Sequence, residues 1–170
     1  MRADLPLEFD LPFAGLPPAL LFFAGAVFAA LCARANLWRT QQFVLLATPL
    51  AGALNLLALD AGTSWVWPVL EFELVQLRVD GLSQLFGLLF HLGAFIGGIY
   101  AIRVRDTLQH VAALVYAGSA LGAVFAGDLV TLFCYWEGIA VSSALLVFAG
   151  RSLKASGAAM RYLVLHLASG

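Results

Sequence analysis

Six stretches of the chain are almost wholly apolar, and short polar or turn-forming segments separate them. They cover residues 19–33, 43–59, 81–102, 111–126 and 128–150, and run from 158 to residue 170. A helix needs about 20 such residues to cross a bilayer. The pattern predicts an all-α protein, a polytopic transmembrane helix bundle of about six spans. Pro17 and Pro18 suit the first turn of the first helix, where a missing N–H is harmless. Pro49 falls inside the second span, so a kink is expected there, tolerated where neighbouring helices satisfy the freed carbonyl. Asn55 can hydrogen-bond across a helix pair. Gly93 and Gly97 on the third span, and Gly118 and Gly122 on the fourth, give small-residue faces that a neighbour can approach closely. Gly127 and Asp128 make a tight turn into the fifth span. The sixth is short, about 16 residues if it begins near Ala155, against the roughly 20 that a crossing needs. With no polar flank at its end, it reads as a helix cut midway, or as the close of the first piece of a longer protein.

Residues 60–80 break the pattern. Asp60, Gly62 and Pro68 punctuate them, and Trp65 and Trp67 mark an interface. Phe72 and Leu74 share one alternating phase, while Leu77 and Val79 share the other. Alternation with a slip predicts a short extramembrane strand around 71–79, with room for a bulge. The organisation is therefore an outer lead-in over 1–15, two spans over 16–59, and an outer loop over 60–80. Spans three and four follow over 81–126, then span five and an incomplete span six over 127–170.

Charge gives these spans a direction. The loops after spans one, three and five hold Arg34 and Arg39, Arg103 and Arg105, and Arg151 and Lys154. The opposite side holds only Arg2 and Arg78. The positive-inside rule then places the N-terminus outside, with Asp128 at the outer face and Arg161 near the inner one. Trp38 fits the aromatic belt, and His110 is expected at the interface. Composition agrees with a membrane chain: 62% of the 170 residues are hydrophobic and only 11% charged, where a soluble domain carries about 25%. A net charge of −1 gives nucleic acid no purchase. The acidic opening, with Asp4, Glu8 and Asp10, is unlike the basic start of a cleaved signal peptide. Cys32 and Cys134 read as small buried apolar residues rather than a disulfide or metal pair.

Against this background Glu137 stands out. It lies near the middle of the fifth span, roughly 14 Å from either end at 1.5 Å per residue. A charge at that depth costs at least about 2.5 kcal/mol, so such a residue faces a partner or a water path. Two roles fit it: a neutral, hydrogen-bonded Glu that joins helices, or a proton or ion carrier. His91 on span three and His166 on span six lie at comparable depth, and histidine titrates in a range that suits a relay. These three form the candidate proton pathway, with Arg161 as a possible charge partner. Asp128 is either a helix cap or a group at a channel mouth. Gly138, Ala140, Ser142 and Ser143 leave room around Glu137. No nucleophile–base pair, metal-ligand cluster or cofactor motif occurs, so no cofactor is expected.

Two stretches carry a resemblance. VDGLSQLFGLLFHLGAFIGGIYA (residues 79–101) and GDLVTLFCYWEGIAVSSALLVFAG, followed later by RYLVLHLASG, resemble the antiporter-like membrane subunits. Respiratory complex I, the Mrp-type sodium/proton antiporters and membrane-bound hydrogenases share these subunits. The wording is most similar to the D-type subunit of the Mrp antiporters, and the match covers residues 79–170, with hydropathy alone over the first 60. The resemblance implies that Glu137 takes the place of the family's proton-pathway glutamate, which works with a lysine on a seventh helix. Lys154, in an expected loop, does not stand in for it. By this resemblance, residues 127–170 open a proton-translocating domain, and the chain is the N-terminal part of such a subunit in the cell (inner) membrane. Its partners would be other membrane subunits, protons, and Na+ or another monovalent cation. Two other readings stay open: a non-transporting assembly subunit, and the pumping subunit of a redox complex.

Overall fold

The computed structural model describes residues 15–62, 64–69, 71–150 and 153–169. The expected lead-in (apart from Gly15) and Arg151 lie outside them. Six helices appear in order: α1 (Pro18–Arg34), α2 (Trp38–Leu57), α3 (Gly81–Ala101), α4 (Thr107–Phe125), α5 (Leu129–Phe148) and α6 (Leu153–Ser169). A hairpin of β1 (Ser64–Val69) and β2 (Phe72–Arg78) stands between α2 and α3. Three helices, α3, α4 and α5, are long and apolar enough to cross a membrane. α1 is apolar but has 17 residues. α2 has 20, with Arg39, Thr40, Gln41, Gln42, Thr48 and Asn55 among them.

Aspartates start all three long helices. Asp80 accepts the Ser83 amide at 2.8 Å, and the Ser83 hydroxyl in turn accepts the Asp80 amide at 2.8 Å, a reciprocal capping box. Asp106 caps α4 through the Leu108 and Gln109 amides. Asp128 caps α5 through the Thr131 amide at 2.8 Å. Each carboxylate meets the orphan donors and the positive end of its helix.

α1 packs against α2 and α4, α3 against α2 and α4, and α5 against α4 and α6. Phe22, Ala26, Val44, Leu45, Leu56, Leu114, Leu121 and Phe125 form the core, closed on one end by Leu77 and Val79. The outside is greasy: Phe28, Leu54, Leu85, Leu92, Ile96, Phe133 and Leu165 are all exposed. Apolar surface on this scale marks contact with lipid or with other chains.

Pro49 sits within α2, which runs on through it. Proline removes the amide that would bond the Leu45 carbonyl. That carbonyl faces Gly98 of α3, 3.3 Å from where a Cβ would stand, so the glycine lets the two helices close over the freed group.

Several expectations change. β1 pairs antiparallel with β2, so the outer loop is a hairpin rather than one strand. Its register shifts between Trp65 and Val66, paired with Leu77 and Val75, which leaves Gln76 as the extra residue. This bulge is the slip in alternation. α6 starts at Leu153, five residues before the apolar run, because the polar residues at its start are already helical. Lys154 is thus in its first turn and not in a loop. His110, expected at the membrane interface, is packed into the protein near the start of α4: its ring stacks on Trp38 at 5.4 Å and its Nε2 lies 3.2 Å from the Ala101 carbonyl. Cys32 is buried, but Cys134 is exposed on α5, because its position falls on the outer side of that helix.

Candidate functional site around Glu137

Glu137 is half-buried on α5, about 12 Å from the first residue of that helix and about 17 Å from its last. Among the described residues its carboxylate has no hydrogen bond and no ion pair. Residues flanking it on α5 sit where α4 and α5 approach closely. A side chain at Gly122 of α4 would run into the Tyr135 ring, and one at Gly138 would stand 2.6 Å from the Ser119 hydroxyl. Two glycines, one on each helix, therefore bring the backbones together on either side of the glutamate's level. The polar atoms nearby serve their own helix. Ser142 donates to the Gly138 carbonyl at 2.6 Å, and the Ser143 hydroxyl lies 2.9 Å from the Ala140 carbonyl. Ser143 also lies 3.2 Å from the Tyr162 hydroxyl of α6.

His166 stacks on Trp136, the residue before Glu137, with ring centroids 6.1 Å apart, and on Tyr162 at 5.9 Å. α6 thus brings a histidine to the glutamate's level through an aromatic stack, not through a bond to the carboxylate. Arg161 is exposed on α6 and makes no ion pair with Glu137. His91 is 1% exposed, with its Nδ1 donating to the Gly87 carbonyl at 2.6 Å. Its ring meets Phe22 of α1 edge-on at 5.4 Å and packs against Gly52 of α2. No contact joins it to Glu137 among the described residues. Of the three pathway candidates, the structure brings two to adjacent helices at one level and turns the third toward α1 and α2.

Asp128 is a cap, and also a bolt. Its Oδ2 accepts the Thr131 hydroxyl at 2.6 Å and the Val75 amide at 2.7 Å, while the Gly127 amide donates to the Val75 carbonyl at 2.9 Å. The α4–α5 turn thereby pairs with β2 as an added strand edge would. A side chain at Gly127 would run into Val75. A second link follows from the bulge: the Tyr135 hydroxyl donates to the Gln76 Oε1 at 2.7 Å. The apolar pattern gave no sign of either cross-link, although an unpaired bulge residue is where a side chain is re-aimed.

Burial pushes the Asp128 carboxyl up, but the hydrogen bonds from the Thr131 hydroxyl and amide and from the Val75 amide outweigh it and hold the group below the usual carboxylate range. A lowered folded-state value stabilises the fold above the unfolded value of about 3.9, and that contribution is lost as pH falls through the folded value. Asp128→Asn keeps a good cap but no charge. Thermal unfolding in detergent should show the wild type losing ground to this variant between about pH 5 and pH 3, with a constant difference above. Parallel curves over that window would mean the charge contributes nothing.

Among the described residues no three His, Cys, Asp or Glu side chains stand close enough to hold a metal ion. No protein-family model matches the chain, and no curated protein matches it.

Proposed function

We propose that the chain acts as a proton-translocating, antiporter-like subunit of a multisubunit cation/proton antiporter, with Glu137 as its mid-membrane proton carrier. One observation carries this reading: a carboxylate held midway along an apolar, membrane-length helix with no hydrogen-bond or ionic partner among the described residues. A glutamate that only joined helices would be expected to hold a bond to one of them, since an unsatisfied buried group costs about 1–3 kcal/mol. A group that loads and releases protons instead needs a site where both charge states are reachable. The close contacts at Gly122 and Gly138 lie within two residues of Glu137 on α5, and His166 on α6 lies at its level.

In this proposal all six helices lie in the cell (inner) membrane, with the N-terminus and the hairpin outside and the basic loops inside. Other membrane subunits complete the complex, and Na+ or another monovalent cation is exchanged for protons. The resemblance of residues 79–101 and 127–150 to antiporter-like subunits supports it. The lysine that partners the family's glutamate belongs to a seventh helix, later than the six described, so transport is a property of the assembled protein.

Carboxylic acids add across the C=N bond of a carbodiimide, and a hydrophobic reagent reaches those in apolar surroundings. Hydrophobic carbodiimide added to membranes containing the assembly should modify Glu137 and stop cation-driven proton movement. Peptide mapping that finds the label only on exposed carboxylates such as Glu71 and Glu73, with transport intact, would reject the role given to Glu137.

A further inference from the structure

An open-sided cavity of about 350 Å³ lies between α3 and α4. The glycine pair of α3 forms part of its wall: a side chain added at Gly93 or Gly97 would meet nothing within 4 Å. The close helix contact expected of this pair is not made among the described residues. Phe90 and Tyr100 bound the cavity on α3, and Ala113 and Ala117 on α4. Its lining on α3 runs from Phe90 to Ala101, a length of about 16 Å. That is the depth of one leaflet, half of a hydrocarbon core of about 30 Å.

The 102–106 turn joins the two walls at the end of the cavity lined by Tyr100, Ala101 and Gln109. Arg103 and Arg105 are exposed there, the Arg105 guanidinium carbon 6.0 Å from the centroid of the Trp38 ring. The turn's one acid, Asp106, is buried, and its carboxylate accepts the amides of α4. The turn therefore presents positive charge to the surroundings. Tyr100, 90% exposed, stands at the same level, where an amphipathic ring suits the boundary between headgroups and chains.

We propose that this groove holds one acyl chain of an anionic phospholipid, whose headgroup phosphate pairs with Arg103, with the charge of Arg105 close by. Depth and charge select this occupant. A helix from another chain would match the glycine pair but would need to run the full width of the membrane, whereas the groove stops near mid-depth. A basic turn beside an apolar slot matches the two ends of an anionic lipid.

The test uses the complete protein in mild detergent, incubated with phosphatidylglycerol or phosphatidylcholine, with bound lipid counted by native mass spectrometry. Phosphatidylglycerol should be retained over phosphatidylcholine by on the order of tenfold, the scale set by two arginines near an anionic headgroup. Arg103→Gln with Arg105→Gln should erase that preference. Gly97→Leu, which fills open space and so should fold normally, should reduce retention of both lipids. Phosphatidylglycerol with a photoactivatable acyl chain should cross-link to peptides spanning 90–101 and 113–117. Equal retention of the two lipids, a Gly97→Leu protein that binds as the wild type does, or cross-links mapping elsewhere would overturn the proposal. So would a photoactivatable residue at position 97 that captures a polypeptide instead of lipid.

Discussion

Glu137→Gln in the complete assembly should reduce cation-driven proton movement to the background of vesicles lacking the complex, while the amount of assembled complex stays the same. Glutamine has the shape of glutamic acid and removes the titrating group alone. It also removes the cost of holding a charge in hydrocarbon, at least about 2.5 kcal/mol, so the variant has no reason to fold less well. Glu137→Asp should retain part of the activity, because the shorter carboxylic acid still exchanges a proton from a displaced position. Transport in vesicles, read beside blue-native gels, separates two causes of lost flux. A fall in complex yield with unchanged turnover per complex would make Glu137 a joint between helices, and the chain an assembly subunit. Normal transport at normal yield would remove Glu137 from any pathway. His166→Ala is a milder companion. It keeps the carboxylate and removes a ring stacked on Trp136 and Tyr162, so it should slow proton movement without stopping it.

How much of this is legible in the sequence varies along the chain. The positions of α1 to α5 follow from apolar runs, because in a membrane the helix is the only isolated segment that satisfies its own backbone. Their starts are less legible. α2 begins at Trp38 and α4 at Thr107, each several residues before its apolar run. The polar first turns (Arg39 to Gln42, or Gln109 and His110) are as helical as the apolar residues after them. The signal for α4 is present in Asp106 ahead of Thr107, a cap of the same kind as Asp128. Glu137's depth can be counted from sequence. Its lack of a partner among the described residues cannot, since that depends on which faces of α4, α5 and α6 meet. His91 shows the same limit: equal depth with Glu137, yet a ring turned toward Gly52 and Phe22. The bulge lies in the alternation of 72–79, but its use, carrying Gln76 to Tyr135, depends on β2 lying over α5.

Gly122→Val should be the most damaging substitution away from the carboxylate. The added Cβ falls onto the Tyr135 ring, meeting three of its atoms. Overpacking of a tight interface costs about 1–3 kcal/mol, more where the neighbour has nowhere to go. Tyr135 has little freedom: its hydroxyl is tied to Gln76, and its ring stacks with Phe23 of α1 at 6.4 Å. Relief therefore comes by moving α5 away from α4, which strains the bonds from Asp128 and Gly127 to Val75 and shifts Glu137 along with its helix. The expected result is a lower unfolding temperature in detergent and a transport defect larger than the loss of folded protein explains. Tyr135→Ala placed in the same chain vacates the space, so the double variant should be more stable than the sum of the two single losses, a coupling of the kind seen between touching residues. Tyr135→Phe isolates the other contribution, because it keeps the ring and loses only the bond to Gln76. Additive losses in the double variant would mean that the two helices do not close through Gly122.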